Sequence, residues 1–598
     1  MRLLFFLAVS LFCVSVILAQ TDEDADRCLQ ESNPDLGIHY CTRAIDSGQF
    51  SGRDLAFAFN NRGNAYDNKG EYDRAIRDYD EAIRLDPADF LAFNNRGSSY
   101  SHKGDDDRAI QDYDQAIRLK PDYADAFYNR GSTYNHKSDD DRAIQDYDQA
   151  IRLKPDLALA FCNRGIAYDN KSEYDRAILD YDQAIRLKPD FALAFYNRGN
   201  SYSHKGDNDR AIQDFDQAIR LQPDFASAFY NRGNSYSHKG DNDRAIQDFD
   251  QAIRLQSDYA SAFYNRGIAY DHKGEYDRAI QDYDQAIRLR PADASAFNMR
   301  GSAYDDKGEY DRAIQDYDKA IRLKPDSALA FNNRGASYSH KGAHDRAIQD
   351  FDEAIRLKPD NAGFFYNRGI DYNCKGEYDR AIQDFDEAIR LKPDYATAFN
   401  NRGNAYHAKG DDDRAIKDYD QAIRLDPKCV CAFRPRGVAH FEQGQFAEAA
   451  MDFQSAVNLA PRDPYNVIWL YLARARAGQK SREALIGERE LDLNSWPGPV
   501  LSFYQRNISR KTVITAAANP DPQKQGEQLC QAHFFLGEYD LQRRFLGEFD
   551  LLHLHRRRAF AEFQEAVKTC PVSLLEYQAV RAELKRLGRQ VDHAASPK

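Results

Sequence analysis

Past residue 19 the chain has no long apolar run, and its Lys and Arg (82) are outnumbered by Asp and Glu (95). The first lack excludes a spanning helix from the bulk of the chain, since one needs ~20 apolar residues. The second speaks against nucleic acid as the ligand, because phosphate binding needs Lys and Arg clustered on one face. Also lacking are a Gly-rich phosphate loop, a nucleophile elbow and a pair of carboxylates standing apart from the repetitive text. No catalytic residue, metal ligand or cofactor is therefore expected. Only 42% of residues are hydrophobic while 30% are charged, which fits an array whose units each spend a few aromatics on their neighbours.

The apolar run is confined to the start. MRLLFFLAVSLFCVSVILAQ carries one positive residue, Arg2, and gives way to TDEDAD. That is the shape of a signal peptide over residues 1–19, cleaved after Ala19; a retained anchor is the alternative. Cys13 lies inside the run behind Phe12, so no lipid-anchor cysteine is readable. Export is expected, to a periplasm first and to the medium second, with no membrane span after cleavage.

From residue 56 a sentence repeats. Glycines at Gly63, Gly97, Gly131, Gly165, Gly199, Gly233, Gly267, Gly301, Gly335, Gly369, Gly403 and Gly437 are separated by 34 residues each time. Twelve units at one period mean a stack of like supersecondary units. In the first unit Phe59, Gly63, Tyr66, Ala75, Tyr79, Ala82 and Pro87 occupy positions four, eight, eleven, twenty, twenty-four, twenty-seven and thirty-two. This resembles the tetratricopeptide repeat (TPR) pattern, in which small residues let two helices approach, aromatics fill the seam and proline ends the second helix. The resemblance implies an all-α, right-handed superhelical solenoid over residues 56–463. Neither period nor local sequence supports strands.

Two columns depart from that pattern or extend it. Where the family usually has Leu, before the glycine, every unit has Arg, from Arg62 to Arg436, and sixteen residues on every unit has Asp, from Asp78 to Asp452. A guanidinium beside the close-contact glycine should sit inside the hairpin, where it must be paired; a bidentate ion pair between the helices is the preferred reading, and an array of anion sites the alternative. Position thirteen holds His102, His136, His204, His238, His272 and His340. One nitrogen per repeat cannot assemble a metal site, so this column reads as a solvated rim. His553 and His555 are a weak metal signal.

The groove should be the first-helix face. Position five alternates between Tyr (Tyr128, Tyr196, Tyr230, Tyr264, Tyr366) and Asn, and position six is mostly Asn, as in Asn129, Asn197, Asn231 and Asn265. The resemblance implies peptide binding through first-helix positions two, five, nine, twelve and thirteen. An aromatic and amide surface would grip extended backbone and apolar side chains. Ala194–Ser227 and Ala228–Ser261 differ only at Pro223/Ser257 and Phe225/Tyr259. Such likeness suits an additive docking surface for proteins or peptides rather than an enzyme, whose chemistry needs unlike residues converging. Self-association is left open.

Both ends differ from the array. Residues 20–55 form a capping half-repeat in which Cys41 stands at position twenty-four and Cys28, thirteen residues back, at position eleven. An exported chain would oxidise them; two buried thiols are the alternative. Residues 464–598 carry 20 Lys and Arg against 15 Asp and Glu, and residues 20–463 carry 61 against 80, so the array is acidic and the tail mildly basic. Trp469–Ala473 (WLYLA), Trp496-Pro497, the FYQRNIS of Phe503–Ser509 and the FLGEY of Phe535–Tyr539 resemble the NlpI-like family of periplasmic TPR adaptors. That resemblance implies an adaptor in the bacterial envelope with proteases or cell-wall hydrolases as clients; a periplasmic enzyme with its site in 464–598 is the alternative. FLGEYDLQRR is followed at once by FLGEFDLLHL. With Ala559 at position twenty of a last hairpin, position eight falls on Gly547, and Gly537 lies ten residues early. Whether Cys530 and Cys570 still pair after that duplication is open.

Overall fold

A computed structural model describes residues 27–28, 32–485, 491–542, 552–571 and 574–594. The expected signal segment and Gly547 lie outside them. The described residues are helical, with no strand among them. They fall into two compact units, within Met1–Arg290 and within Pro291–Lys598. The first holds a lone helix, Pro34–Asp46, and seven helical hairpins, from Gly52–Asn68 with Tyr72–Leu85 to Ala260–His272 with Tyr276–Leu289. The second holds five more, from Ala294–Asp306 with Tyr310–Leu323 to Val430–Gln443 with Phe446–Leu459, and then the tail.

Each hairpin is closed by a glycine, and ten of the twelve are turned by another. A Cβ on Gly233 would stand 2.8 Å from Cε1 of Phe249, so the bare backbone is what lets the second-helix ring lie flat on the first helix. Ala245 and Ala252 flank that ring with no exposure. Between the helices the chain passes through the left-handed region, at φ +77° for Gly240. Ser138 and Ser172 replace this glycine in two repeats and hold φ 58° and 60°, a conformation unfavourable to a side chain.

The expected ion pair is present in all twelve hairpins. Arg96 donates from Nε and Nη2 to Asp112 at 2.8 and 2.7 Å and from Nη1 to Asp80 of the preceding hairpin at 2.6 Å. The guanidinium also lies 5.5 Å from the Phe93 ring. Arg therefore closes its own hairpin and ties it to the one before. Sequence reading missed the second carboxylate, which recurs as Asp114, Asp148, Asp182, Asp216 and Asp250. Burial pushes the Asp112 carboxyl up by more than Arg96 pulls it down. Burial likewise opposes the charge on Arg96, but its two carboxylates hold it above the ordinary arginine value.

Cys28 and Cys41 form the expected disulfide, Cα atoms 4.7 Å apart, against Ala58 of the first hairpin. The tail folds around Trp469, which is buried, stacked on Phe453 at 5.4 Å and set edge-on to Phe441 at 5.4 Å. Its last hairpin pairs Pro522–Gln542 with Leu552–Thr569. Here the expected register is corrected. A Cβ on Gly537 would strike Phe563, 2.7 Å away, so Gly537 takes position eight. The extra ten residues therefore enter after the first helix, which leaves the Cα atoms of Cys530 and Cys570 4.8 Å apart and bonded. A third pair, Cys429 with Cys431, had no expectation behind it. The terminal helix, Leu575–Ala594, lies on the first helices of the last repeats: Gln578 donates to the Ala408 carbonyl at 3.2 Å and Arg586 to that of Phe441 at 3.0 Å.

Candidate functional site

The Tyr and Asn columns meet on the first-helix face. Asn163 donates to the Tyr128 hydroxyl, Asn231 to Tyr196, Asn265 to Tyr230 and Asn401 to Tyr366, all at 3.0–3.1 Å. Where position five is not Tyr the rung persists: Asn129 donates to Asn94 at 3.0 Å and Asn197 to the Cys162 sulfur at 3.8 Å. Position six of one hairpin thus grips position five of the hairpin before it. Each Tyr ring is half-buried. Tyr196 sits between Phe215, at 5.9 Å, and Phe225, at 4.7 Å, and Tyr264 lies 6.0 Å from Tyr283. Burial and repeat-to-repeat bonding thus engage the Tyr hydroxyls, and many of the amide oxygens of this column accept from neighbouring asparagines.

The histidine column stands at the rim, as expected. The His102 side chain is 49% exposed and leans on Tyr72 at 5.1 Å; His204 and His340 lean in the same way on Tyr174 and Tyr310. His555 is buried 4.0 Å from Asp540, and the His553 side chain lies outside the described residues.

Within the second unit the face deepens into a cleft of about 400 Å³, lined among others by Asn373, Asn400, Asn404, His407, Arg434 and Gln578. The first five are positions twelve, five, nine, twelve and five of three successive first helices; Gln578 comes from the terminal helix. The side-chain oxygens of Asn373 and Asn400 are buried there without a hydrogen-bond donor. Such oxygens are costly to leave unmet, and a peptide N–H could satisfy them. Among the described residues one group has metal-ligand spacing, His407 with Asp412 and Glu442.

Family models described as tetratricopeptide repeat match residues 60–124, 230–294 and 413–467, and again 328–361 and 396–429. One described as TPR repeat matches 131–172, 170–206, 199–240, 301–342 and 371–410. Together they span more than half of the chain. Among solved structures, MamA is 28% identical over 29% of this chain and 93% of its own, with a TM-score of 0.27. YrrB, described as a TPR protein with an unusual peptide-binding site, is 27% identical over 31% and 95%, at 0.28. A tetratricopeptide repeat protein from Parabacteroides merdae is 20% identical over 42% and 98%, at 0.34.

Proposed function

This chain belongs to the tetratricopeptide repeat family, and on that premise we propose that it is a non-enzymatic scaffold of the bacterial cell envelope which docks extended segments of other proteins. The observation that carries the reading is the cleft, where first-helix positions five, nine and twelve converge with Gln578 around two unmet amide oxygens. A segment in extended conformation presents backbone N–H groups that such acceptors can take. The acidic array favours partners with basic character. The envelope location is supported by the N-terminal run and by three cysteine pairs, since disulfides persist in oxidising compartments. The NlpI-like features of the tail support proteases or cell-wall hydrolases as clients.

A photo-crosslinker at Asn404 tests the proposal, with one at the exposed Arg390 as control. In envelope extract the Asn404 probe should capture a discrete partner, and Asn373→Ala should reduce its yield. Equal capture from both positions would refute the cleft. Deleting Ala228–Ser261 should weaken an extended partner modestly, whereas deleting 464–598 should abolish binding at the cleft. Loss of a substrate-consuming activity with the tail would favour an enzyme instead.

A further inference from the structure

The repeat is broken in two adjacent places, and the two breaks face one another. Position twelve is Asp, Ser or Asn in the first ten repeats and His407 in the eleventh; position thirteen is Glu442 in the twelfth and not acidic in the others apart from Asp306. His407 ends the first helix Ala396–Ala408, Asp412 opens the second helix Asp412–Leu425, and Glu442 ends the first helix Val430–Gln443 of the next hairpin. Nδ1 of His407 lies 2.9 Å from Oδ1 of Asp412, and Nε2 lies 3.7 Å from Oε1 of Glu442. One donor atom from each residue lies within 4.8 Å of the others.

Proximity alone would be an ordinary polar cluster. The second observation is that Nε2 of His407 and Oε1 of Glu442 are buried without a hydrogen-bond partner, their side chains only 4% and 5% exposed. Arg586, the nearest cation, is bonded to the main-chain oxygens of Phe441 and Glu442 and to the Glu583 carboxylate, so it makes no hydrogen bond to the Glu442 carboxylate. Asp412 is 20% exposed and bonded to Nδ1, so the unmet pair is Nε2 with the Glu442 carboxylate, and two such acceptors facing one another out of water call for a cation between them. A cleft bordered by Asp412, Glu442 and the terminal helix reaches the group from solvent.

We propose that His407, Asp412 and Glu442 form a binding site for one divalent transition-metal ion of the zinc class. One imidazole nitrogen and two carboxylate oxygens suit zinc, whose bonds to both are about 2.0–2.2 Å; the nitrogen disfavours calcium and magnesium, which take oxygen donors. Bonds of that length put tetrahedral donor atoms about 3.3–3.6 Å apart, so the 3.7 Å pair needs little movement and the widest pair, up to 4.8 Å, must close by about 1 Å. Water completes the coordination from the cleft. The ion joins the eleventh and twelfth repeats beneath the terminal helix, beside the docking cleft that His407 also lines.

The test uses the full chain, stripped with chelator and titrated with zinc chloride against a chromophoric competitor. One equivalent should bind at micromolar or tighter affinity, thermal stability should rise, and Glu442→Gln and Asp412→Asn should each weaken binding at least tenfold. His136→Ala, at the solvated rim, should leave it unchanged. Cobalt binding to the unmodified chain should give ligand-field bands that zinc abolishes, a readout independent of whether the variants fold. Absence of a tight equivalent, its survival in both variants, or absence of those bands would overturn the site in favour of a protonated Glu442 hydrogen-bonded to His407.

Discussion

The side-chain amide of Asn231 donates to the hydroxyl of Tyr196, 3.0 Å away and one repeat earlier. The same amide also donates to Asn200 at 2.7 Å. Both its protons are therefore used, one across the repeat interface to Tyr196 and one to Asn200 of the same preceding repeat. Asn231→Ala should cost about 0.5–1.5 kcal/mol. Asn231→Asp should cost more, about 1–3 kcal/mol, because it turns a carboxylate toward the Asn200 acceptor. Urea denaturation separates the two, and equal costs would show that the rung is not held by hydrogen bonds.

Arg266 with Asp282 gives the test of the repeated ion pair. Nε donates to Oδ2 at 2.8 Å, with side chains 18% and 6% exposed. Arg266→Leu, which restores the residue usual in the family, should destabilise by about 3 kcal/mol, because it strands a buried carboxylate. Adding Asp282→Leu should recover most of that loss. Hydrogen exchange of the amides in this hairpin would read both changes locally; a double variant no better than the single one would mean that the arginine acts through Asp250 instead.

Two glycine positions predict opposite signs. Gly233→Ala puts a methyl against Phe249 and should cost about 1–3 kcal/mol through overpacking. Ser138→Gly relieves a left-handed backbone at φ 58° and should gain about 0.5–1 kcal/mol. Thermal melts of the two variants check this, and a destabilised Ser138→Gly would show that the serine side chain makes a compensating bond.

Acid should act through the exposed carboxylates and not through the buried column. Hydrogen bonds from Arg108, Arg142 and Arg414 hold Asp105, Asp139 and Asp411 below the ordinary carboxylate value. Groups lowered on folding contribute stability above the unfolded value near ~3.9, and lose it as pH falls through the folded value. Asp112, Asp146 and Asp214 are raised, by burial. Their contribution runs the other way, present below the unfolded value and lost as pH rises through the folded one. Asp139→Asn should thus be less stable than the parent at pH 7 and converge with it as pH falls below the lowered folded value. A gap that persists in acid would locate the role of Asp139 in its cap to the Arg142 amide.

Much of this was legible because the repeat prints its own contacts. Gly63 before Tyr79, Arg62 sixteen residues before Asp78, and Cys28 thirteen before Cys41 are separations inside one hairpin, which a periodic alignment exposes. Asp80 was not legible: its carboxylate meets Arg96 of the next hairpin, so its role depends on how hairpins stack. The Tyr column was read as open groove, and the rungs that fill its hydroxyls cross the same boundary. Gly547 was preferred to Gly537 because counting back from Ala559 cannot tell which copy of a duplicated decapeptide is the insertion. The packing of Phe563 decides it. His407 and Glu442 were visible only as two lapses from the repeat, and no period predicts that two lapses will touch.

The hydrogen bond from Gln578 to Ala408 spans 170 residues and that from Arg586 to Phe441 spans 145, whereas the rungs of the array span 35. Contacts between near neighbours in sequence form first, and distant ones wait for loop closure. The repeats can therefore condense one upon another in the order in which they are made. The terminal helix can settle on the eleventh and twelfth repeats only after the intervening tail exists. Its seating is a late event in the life of each molecule, and it separates a growing stack from a finished one.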